Sequence, residues 1–404
     1  MAKGFLIVNV YKEDIGQIVV GAKVVIKGED YEKTYTTNID GKTDKIELNA
    51  PDIKYSLYPQ YEVRPYSIYD IIVTKEGLNE TIIKNVEILP NEVSIQNVYM
   101  KKDTQTVDIT ELPDHVLWGD YPPKIPEEPI KEELENLRVL PRVIIPEYII
   151  VHDGIPTSNA INYTVSFIDY IKNVASSEIY STWPVESLKA NIHAIVSFTL
   201  NRIFTEWYRS RGFNFTITSS TAYDQKYTHN RTIFQTISNV VDQYFRYYIR
   251  LTGFTQPLLA QYNDGIKTNN SGWLSQWGSK DLADRGYTAL QILRYYYTNN
   301  LDLVTAEAMI GLPSSFPGYN ISQALNSCGQ YVQKLQTELN RIRGNYPAIP
   351  AISPADGRFN ASTTLAVRKF QEIFDLPVTG IVDFATWFKI SYVFTAVAKL
   401  SAGV

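Results

Sequence analysis

Six prolines, Pro113, Pro122, Pro123, Pro126, Pro129 and Pro141, crowd one stretch of the chain. A proline ring fixes φ, clashes with the preceding turn and removes a backbone donor. Neither an α-helix nor an interior strand can run through such a stretch. The chain is therefore divided, and its 404 residues allow roughly two to four domains at about 100–200 residues each. The segment 103–142 reads as an extended, exposed joint stiffened by its prolines, with an acidic helical stretch at Glu127–Glu135.

Before the joint the pattern is β. Phe5–Val10, Ala22–Ile26, Tyr31–Thr37, Lys45–Leu48, Tyr69–Lys75, Thr81–Ile88 and Ser94–Met100 alternate or run apolar between turn signals. Asp40-Gly41 marks a hairpin turn, and Pro51, Pro59 and Pro65 fall between strands. Seven short strands predict a small β-sandwich over 1–102. After the joint the pattern is mixed, with long helices. Pro184 suits a first helical turn, and Leu188, Ile192, Ile195, Leu200 and Ile203 mark one buried face. Thr232–Arg250 reads as a second helix and Leu282–Tyr297 contains a third, with β-like runs at Phe213–Thr218 and Leu258–Tyr262. In the tail, Val332, Leu335 and Leu339 share one helical face, and Thr363, Val367, Phe370 and Phe374 another. The fold class is multidomain α+β: a sandwich at 1–102, a joint at 103–142, a mixed α/β domain at 143–315 and a helical module at 316–404.

Charge and composition narrow the function. Apolar runs such as Val143–Ile145 and Tyr148–Val151 are broken by Pro146 and Glu147, and none nears the ~20 residues of a membrane span. The N-terminal run reads as a strand and not as a signal peptide. One cysteine, Cys328, excludes an intramolecular disulfide, and four scattered histidines offer no metal-ligand spacing. A net charge of −5 argues against a nucleic-acid binder. That average conceals an asymmetry: residues 1–142 hold 17 Lys and Arg against 25 Asp and Glu, giving −8, and residues 143–404 hold 21 against 18, giving +3.

Within 328–390, Gly329-Gln-Tyr-Val332, Leu335-Gln336, Asp356-Gly-Arg-Phe359, Phe370-Gln371, Gly380-Ile-Val382 and Thr386-Trp387 resemble the peptidoglycan-binding module of cell-wall hydrolases. Asn360 stands where that family usually has glycine. The resemblance implies a three-helix module that holds wall glycan. Three further blocks resemble the stage II sporulation protein D/LytB family of lytic transglycosylases and amidase enhancers. They are Tyr170–Glu178 with Trp183-Pro184 and Glu186; Thr218–Tyr227; and Leu274-Ser-Gln-Trp-Gly278 with Gly286 and Tyr295–Tyr297. The whole layout is similar to the clostridial spore cortex-lytic enzymes. These are made without a signal peptide, act in the spore cortex and coat region during germination, and carry a propiece removed by a subtilisin-like germination protease.

A lytic transglycosylase lets the muramic 6-hydroxyl attack its own C1, so one carboxyl group serves as acid and then base, where ordinary glycosidases need two. By resemblance Glu178 is that group, with Ile179, Tyr180 and Trp183 as apolar company suited to an acid. Its rival Glu186 reads as a solvated helix-face carboxylate. Gln225 and Tyr227 are expected to hold sugar hydroxyls or N-acetyl groups. Ser275, Gln276 and Trp277 are expected to form a second wall, with Gly278 allowing close approach; Trp277 fits a core anchor equally well. Where many relatives carry a zinc-binding His-Cys pair, this chain has Ala222-Tyr223-Asp224, so no metal and no cofactor are expected. The propiece cut is expected within Leu134–Arg142, near Leu137, Arg138 and Val139. The expected partners are cortex peptidoglycan and the protease, with no nucleic acid and no membrane span. A non-catalytic, wall-binding amidase enhancer is the alternative, and a spore-structural protein the third reading.

Overall fold

The computed structural model describes residues 2–12, 17–102, 104–119, 121, 124–127, 143–306, 308–310 and 327–383, and eight positions between 386 and 397. The expected cleavage residues Leu137, Arg138 and Val139 lie outside the described residues.

The N-terminal part runs β1 (Ala2–Lys12), β2 (Lys23–Gly28), β3 (Tyr31–Thr36), β4 (Ile46–Ala50), a single turn α1 (Lys54–Leu57), β5 (Ser67–Thr74), β6 (Glu80–Ile88), β7 (Val93–Met100) and β8 (Val107–Glu111). One sheet has the order β3-β2-β5-β6-β8 and the other contains β7-β1-β4. Alternate residues of the two sheets meet in one core, among them Leu6, Val8, Val10, Val24, Ile26, Ile71, Val73 and Val98. All seven anticipated strands are present. The eighth, β8, falls inside the proline-rich joint and pairs in parallel with β6. Its apolar residues Val107 and Ile109 face solvent, so it is an edge strand held by backbone bonds and not by a buried face.

The second part runs β9 (Ile144–Pro146), β10 (Tyr148–His152), β11 (Asn162–Ser166), α2 (Phe167–Glu178), α3 (Val185–Phe204), β12 (Ile217–Thr218), β13 (Ile233–Phe234), α4 (Gln235–Tyr244), β14 (Tyr247–Leu251), β15 (Tyr262–Asn263), β16 (Leu274–Ser275), α5 (Gln276–Asp284), α6 (Ala289–Tyr296), β17 (Leu301–Thr305) and β18 (Ala308–Ile310). Ser166 caps α2 by accepting from Asp169 N, and Pro184 stands just before α3. Helix α3 is buried on nearly every side and forms the axis on which α2, α4, α5 and α6 pack. Thr232–Arg250 is not one helix: only Gln235–Tyr244 is helical, because the aromatic and β-branched run at Tyr247–Leu251 pairs with β17. Leu282–Tyr297 contains a helix as expected, α6, which Gly286, with φ +87°, separates from the end of α5.

In the tail, α7 (Gln330–Ile342) and α8 (Ala361–Ile373) bury the anticipated faces, and the described positions of 386–397 are helical. Two glutamines explain the glycine and threonine spacing. Gln336 Oε1 accepts from Gly357 N while its Nε2 donates to Arg358 O and Thr363 Oγ1. Gln371 repeats the pattern with Gly380 N, Ile381 O and Thr386 Oγ1. Both glycines have left-handed φ, +77° and +74°.

The first two parts are not joined by a loose tether. Strand β13 adds antiparallel to β7, so that the sheet reads β13-β7-β1-β4. Beside it Arg231 Nη2 meets Glu87 Oε2 at 2.8 Å, with both side chains almost wholly buried. Trp183 Nε1 and Thr182 Oγ1 reach α1 at Ser56. Removing one partner of such a pair strands a buried charge. Arg231→Ala is expected to destabilise the chain by about 3–5 kcal/mol, measured by denaturant unfolding; a loss below about 1 kcal/mol would show that the pair does not hold the two parts together.

Candidate active site

Glu178 is the last residue of α2 and is completely buried. The end of a helix carries unpaired carbonyls and partial negative charge, an unfavourable place for a carboxylate. Three donors converge to offset this. Lys226 N and the Tyr262 hydroxyl reach Oε1 at 2.9 and 3.2 Å, and Gln276 Nε2 reaches Oε2 at 3.1 Å. Ile179, Tyr180 and Trp183, which follow it in the chain, are buried, and Trp277 joins the two aromatic rings in a cluster at 4.9 Å from Trp183. Arg231 steadies the same helix end by donating from Nε to Ser176 O.

Of the residues expected to line the site, Gln276 reaches the carboxylate and the others take different roles. Gln276 touches Glu178 directly, and its own Oε1 is buried with no protein partner. Ser275 caps α5 by accepting from Gly278 N. Gly278 is small because a Cβ there would collide with the Tyr296 hydroxyl, so its close approach is internal. Trp277 is half-buried within the aromatic cluster. Gln225 does not reach Glu178. Its Oε1 accepts from Tyr170 and Thr199, and its Nε2 donates to Ile195 O, which braces α2 against α3. Tyr227 stacks on Tyr170 and bonds His229 Nδ1. Burial and then its tyrosine and aspartate neighbours push its phenol up, so it stays protonated. Glu186 is a positioning group: it pairs with Lys189 at 2.7 Å and accepts from Ala289 N at the start of α6. Burial opposes its charge, but these donors outweigh it and hold its carboxyl below the usual range.

Tyr262 and Lys226 N were not legible beforehand, because their places depend on the β15–β16 pairing and on a loop 48 residues away from Glu178. Among the described residues no three His, Cys, Asp or Glu side chains are grouped as metal ligands.

The site is roofed by the described residues of 113–127. Val116–Gly119 make a turn, with Trp118 N and Gly119 N on His115 O, and the segment is anchored along its length. His115 stacks on Tyr180 at 4.4 Å and Val116 N donates to Ser177 O. Ile125 N bonds Ala222 O on one wall, and Gln261 holds Ile125 O and Glu127 N on the other. Glu127 meets the buried Arg202, which also holds Asp224 at 2.7 Å. The Lys124 ammonium lies 3.7 Å over the Tyr262 ring. Its pKa is lowered by burial, with Glu178 and Asp224 pulling the other way. Burial first, and then Glu178, keeps the Tyr121 phenol protonated.

The family model of the peptidoglycan binding domain matches residues 328–390. A peptidoglycan-binding domain is therefore present at the C-terminal end, consistent with a cell-wall-associated protein. No curated protein matches the chain. Of solved structures, the Bacillus anthracis TIE protein is 16% identical over 25% of this chain and 17% of its own, with a TM-score of 0.19. A membrane-associated protein of unknown function from Bacteroides fragilis is 16% identical over 26% of this chain and 30% of its own, with a TM-score of 0.16. Likenesses this slight carry no argument about fold or activity.

The roof makes a local prediction. Glu127→Ala removes a charge-assisted bond worth about 1.5–3 kcal/mol while leaving Arg202 its bond to Asp224. Hydrogen exchange at Ile125 N–H is expected to quicken at least tenfold with little change in global melting. Unchanged exchange there would mean that Glu127 does not latch the segment.

Proposed function

We propose that the protein is a lytic transglycosylase of spore cortex peptidoglycan, made inactive and released by removal of its N-terminal part. The observation that carries this reading is the placement of Glu178: a buried carboxylate set among hydrogen-bond donors, with residues 113–127 of the same chain across it. The peptidoglycan-binding domain at 328–390 supports wall glycan as the substrate class.

In the proposed mechanism Glu178 gives its proton to the leaving N-acetylglucosamine oxygen as the bond from muramic C1 to that oxygen breaks. The muramic 6-hydroxyl oxygen then closes on C1, and its proton returns to Glu178. No water enters, and the product ends in 1,6-anhydro-muramic acid. Tyr262 and Gln276 orient the carboxylate throughout, and the unpartnered Gln276 Oε1 is an acceptor available to an N-acetyl N–H. The proposed protease is subtilisin-like and cuts near Leu137-Arg138-Val139. Such a cut severs the roof from 143–404, and the roof's departure opens the site.

Cortex fragments made by the cut protein, analysed by mass, decide among the readings. Anhydro-muramic ends are expected, absent from the uncut chain and lost in a folded Glu178→Gln variant. Reducing ends would indicate a hydrolase. No products, together with stimulation of an added amidase, would establish the enhancer instead. A fully active Glu178→Gln variant removes Glu178 from the mechanism.

A further inference from the structure

The Asp40-Gly41 turn has a role beyond its hairpin. Gly41 takes φ +74°, and Asn38 Oδ1 accepts from Asp40 N and Lys42 N, so the turn presents two oppositely charged side chains in fixed register. Both point at the peptidoglycan-binding domain. Lys369 Nζ on α8 meets Asp40 Oδ2 at 2.9 Å, and the Asp40 side chain is 4% exposed. Lys42 Nζ donates to Glu372 O at 2.5 Å and lies 3.5 Å from Asp375 Oδ1. Glu372 O is one of the unpaired carbonyls at the end of α8, so an ammonium from the β-domain caps a helix of the wall-binding module.

Asp375 is the centre of this contact. It holds a left-handed φ of +54°, unusual for a residue with a side chain, and is half-buried. Its carbonyl accepts from Gln235 Nε2 on α4 at 2.5 Å. The turn after α8 is thus held by the β-domain on one side and by α4 on the other. Within the module, Tyr346 is 2% exposed and packs on Phe374 at the end of α8.

Resting on the reading of a removable N-terminal part, we propose that its β-domain locks the wall-binding module as its roof covers the active site: the crossed pairs Asp40–Lys369 and Lys42–Asp375 keep the end of α8 covered, so that the uncut chain binds wall glycan weakly. Two features support this beyond the contacts. A wall strand is an extended polymer and cannot enter a joint already filled on two sides. The docked part, residues 1–142, also carries −8 against +3 for the rest, so it repels an anionic wall from the module it sits on.

The test uses the uncut chain with Glu178→Gln, so that the wall is not consumed and the result does not depend on what Glu178 does. Asp40→Lys combined with Lys42→Glu reverses both contacts, keeps net charge and leaves every module residue unchanged. Sedimentation with insoluble peptidoglycan at low salt is expected to show binding about fivefold or more tighter than in the unswapped chain, from like-charge opposition across the contact. Hydrogen exchange in 366–376 is expected to quicken in parallel. Lys42→Met, which keeps the apolar stem, guards against misfolding of the double variant and is expected to give a smaller gain in the same direction. Faster exchange without tighter wall binding overturns the proposal, as does unchanged wall binding in both variants.

Discussion

Arg231 ties together the pieces on which the architecture depends. Its guanidinium holds Glu87 of the β-domain, Ser176 O at the end of α2, and Pro113 O at the start of the roof. A planar fork of five donors suits this task, which a lysine could not perform. The carbonyl it caps lies two residues before Glu178. The position of the candidate acid, the docking of the β-domain and the entry of the roof are therefore set by one buried cation. Its pairing with Glu87 is a contact for which desolvation costs much and the loss of one partner costs more. Strand β13 begins two residues later, so the ion pair also fixes the register in which that strand joins β7.

The roof shows how an extended segment can be both proline-rich and specific. Prolines remove donors that a segment lying across another domain would otherwise need to satisfy. Of the donors that remain, those of Val116, Ile125 and Glu127 find partners in the second part of the chain, that of His115 in the β-domain, and those of Leu117, Trp118 and Gly119 within the roof. A stiff chain also loses less entropy on docking than a flexible one. The composition that suits a linker therefore suits a cover equally well, and the difference lies in what the opposite wall offers.

That is why so much of the β-domain was legible and so little of the roof. Strand alternation is local: Val24 and Ile26 declare a buried face within three residues. The bonds of Ile125 to Ala222 and of Glu127 to Gln261 join residues far apart in the chain. Likewise Thr232–Arg250 looks helical by spacing, but its last part follows the strand preference of Tyr247-Tyr248-Ile249 once Leu301–Thr305 is alongside. Around Glu178, the motif residue Gln276 reaches the carboxylate and Ser275 caps α5; Gln225 does not reach it, since a buried amide satisfied by three bonds carries the same sequence signature as one facing a ligand. Tyr262 had no signature, because only the β15–β16 pairing brings it to the carboxylate.

On the proposed reading, what a cut within Leu134–Arg142 changes is a matter of effective concentration. In the intact chain the roof and the β-domain are tethered to the surfaces they cover, and tethering through a short segment is equivalent to a millimolar partner. Cutting breaks no contact at the site; it turns an intramolecular equilibrium into a bimolecular one, in a dilute solution or beside an anionic polymer. The contacts that must then be given up include polar ones: the Arg231–Glu87, Arg202–Glu127 and Lys369–Asp40 pairs, and the two-residue pairing of β13 with β7. Apolar ones go with them, since Tyr66 and Leu89 of the β-domain and Val116, Leu117 and Tyr121 of the roof are buried in the core of the second part, while the interior of the sandwich is its own. Polar contacts can be re-solvated on both sides; the shared apolar ones are what holds the cut piece in place. Its strongly acidic character adds a further push once the wall is the competitor. The sandwich keeps its own interior when it leaves, so its release after one cut turns on whether re-solvated ion pairs and charge repulsion outweigh the apolar contacts of Tyr66, Leu89 and the roof.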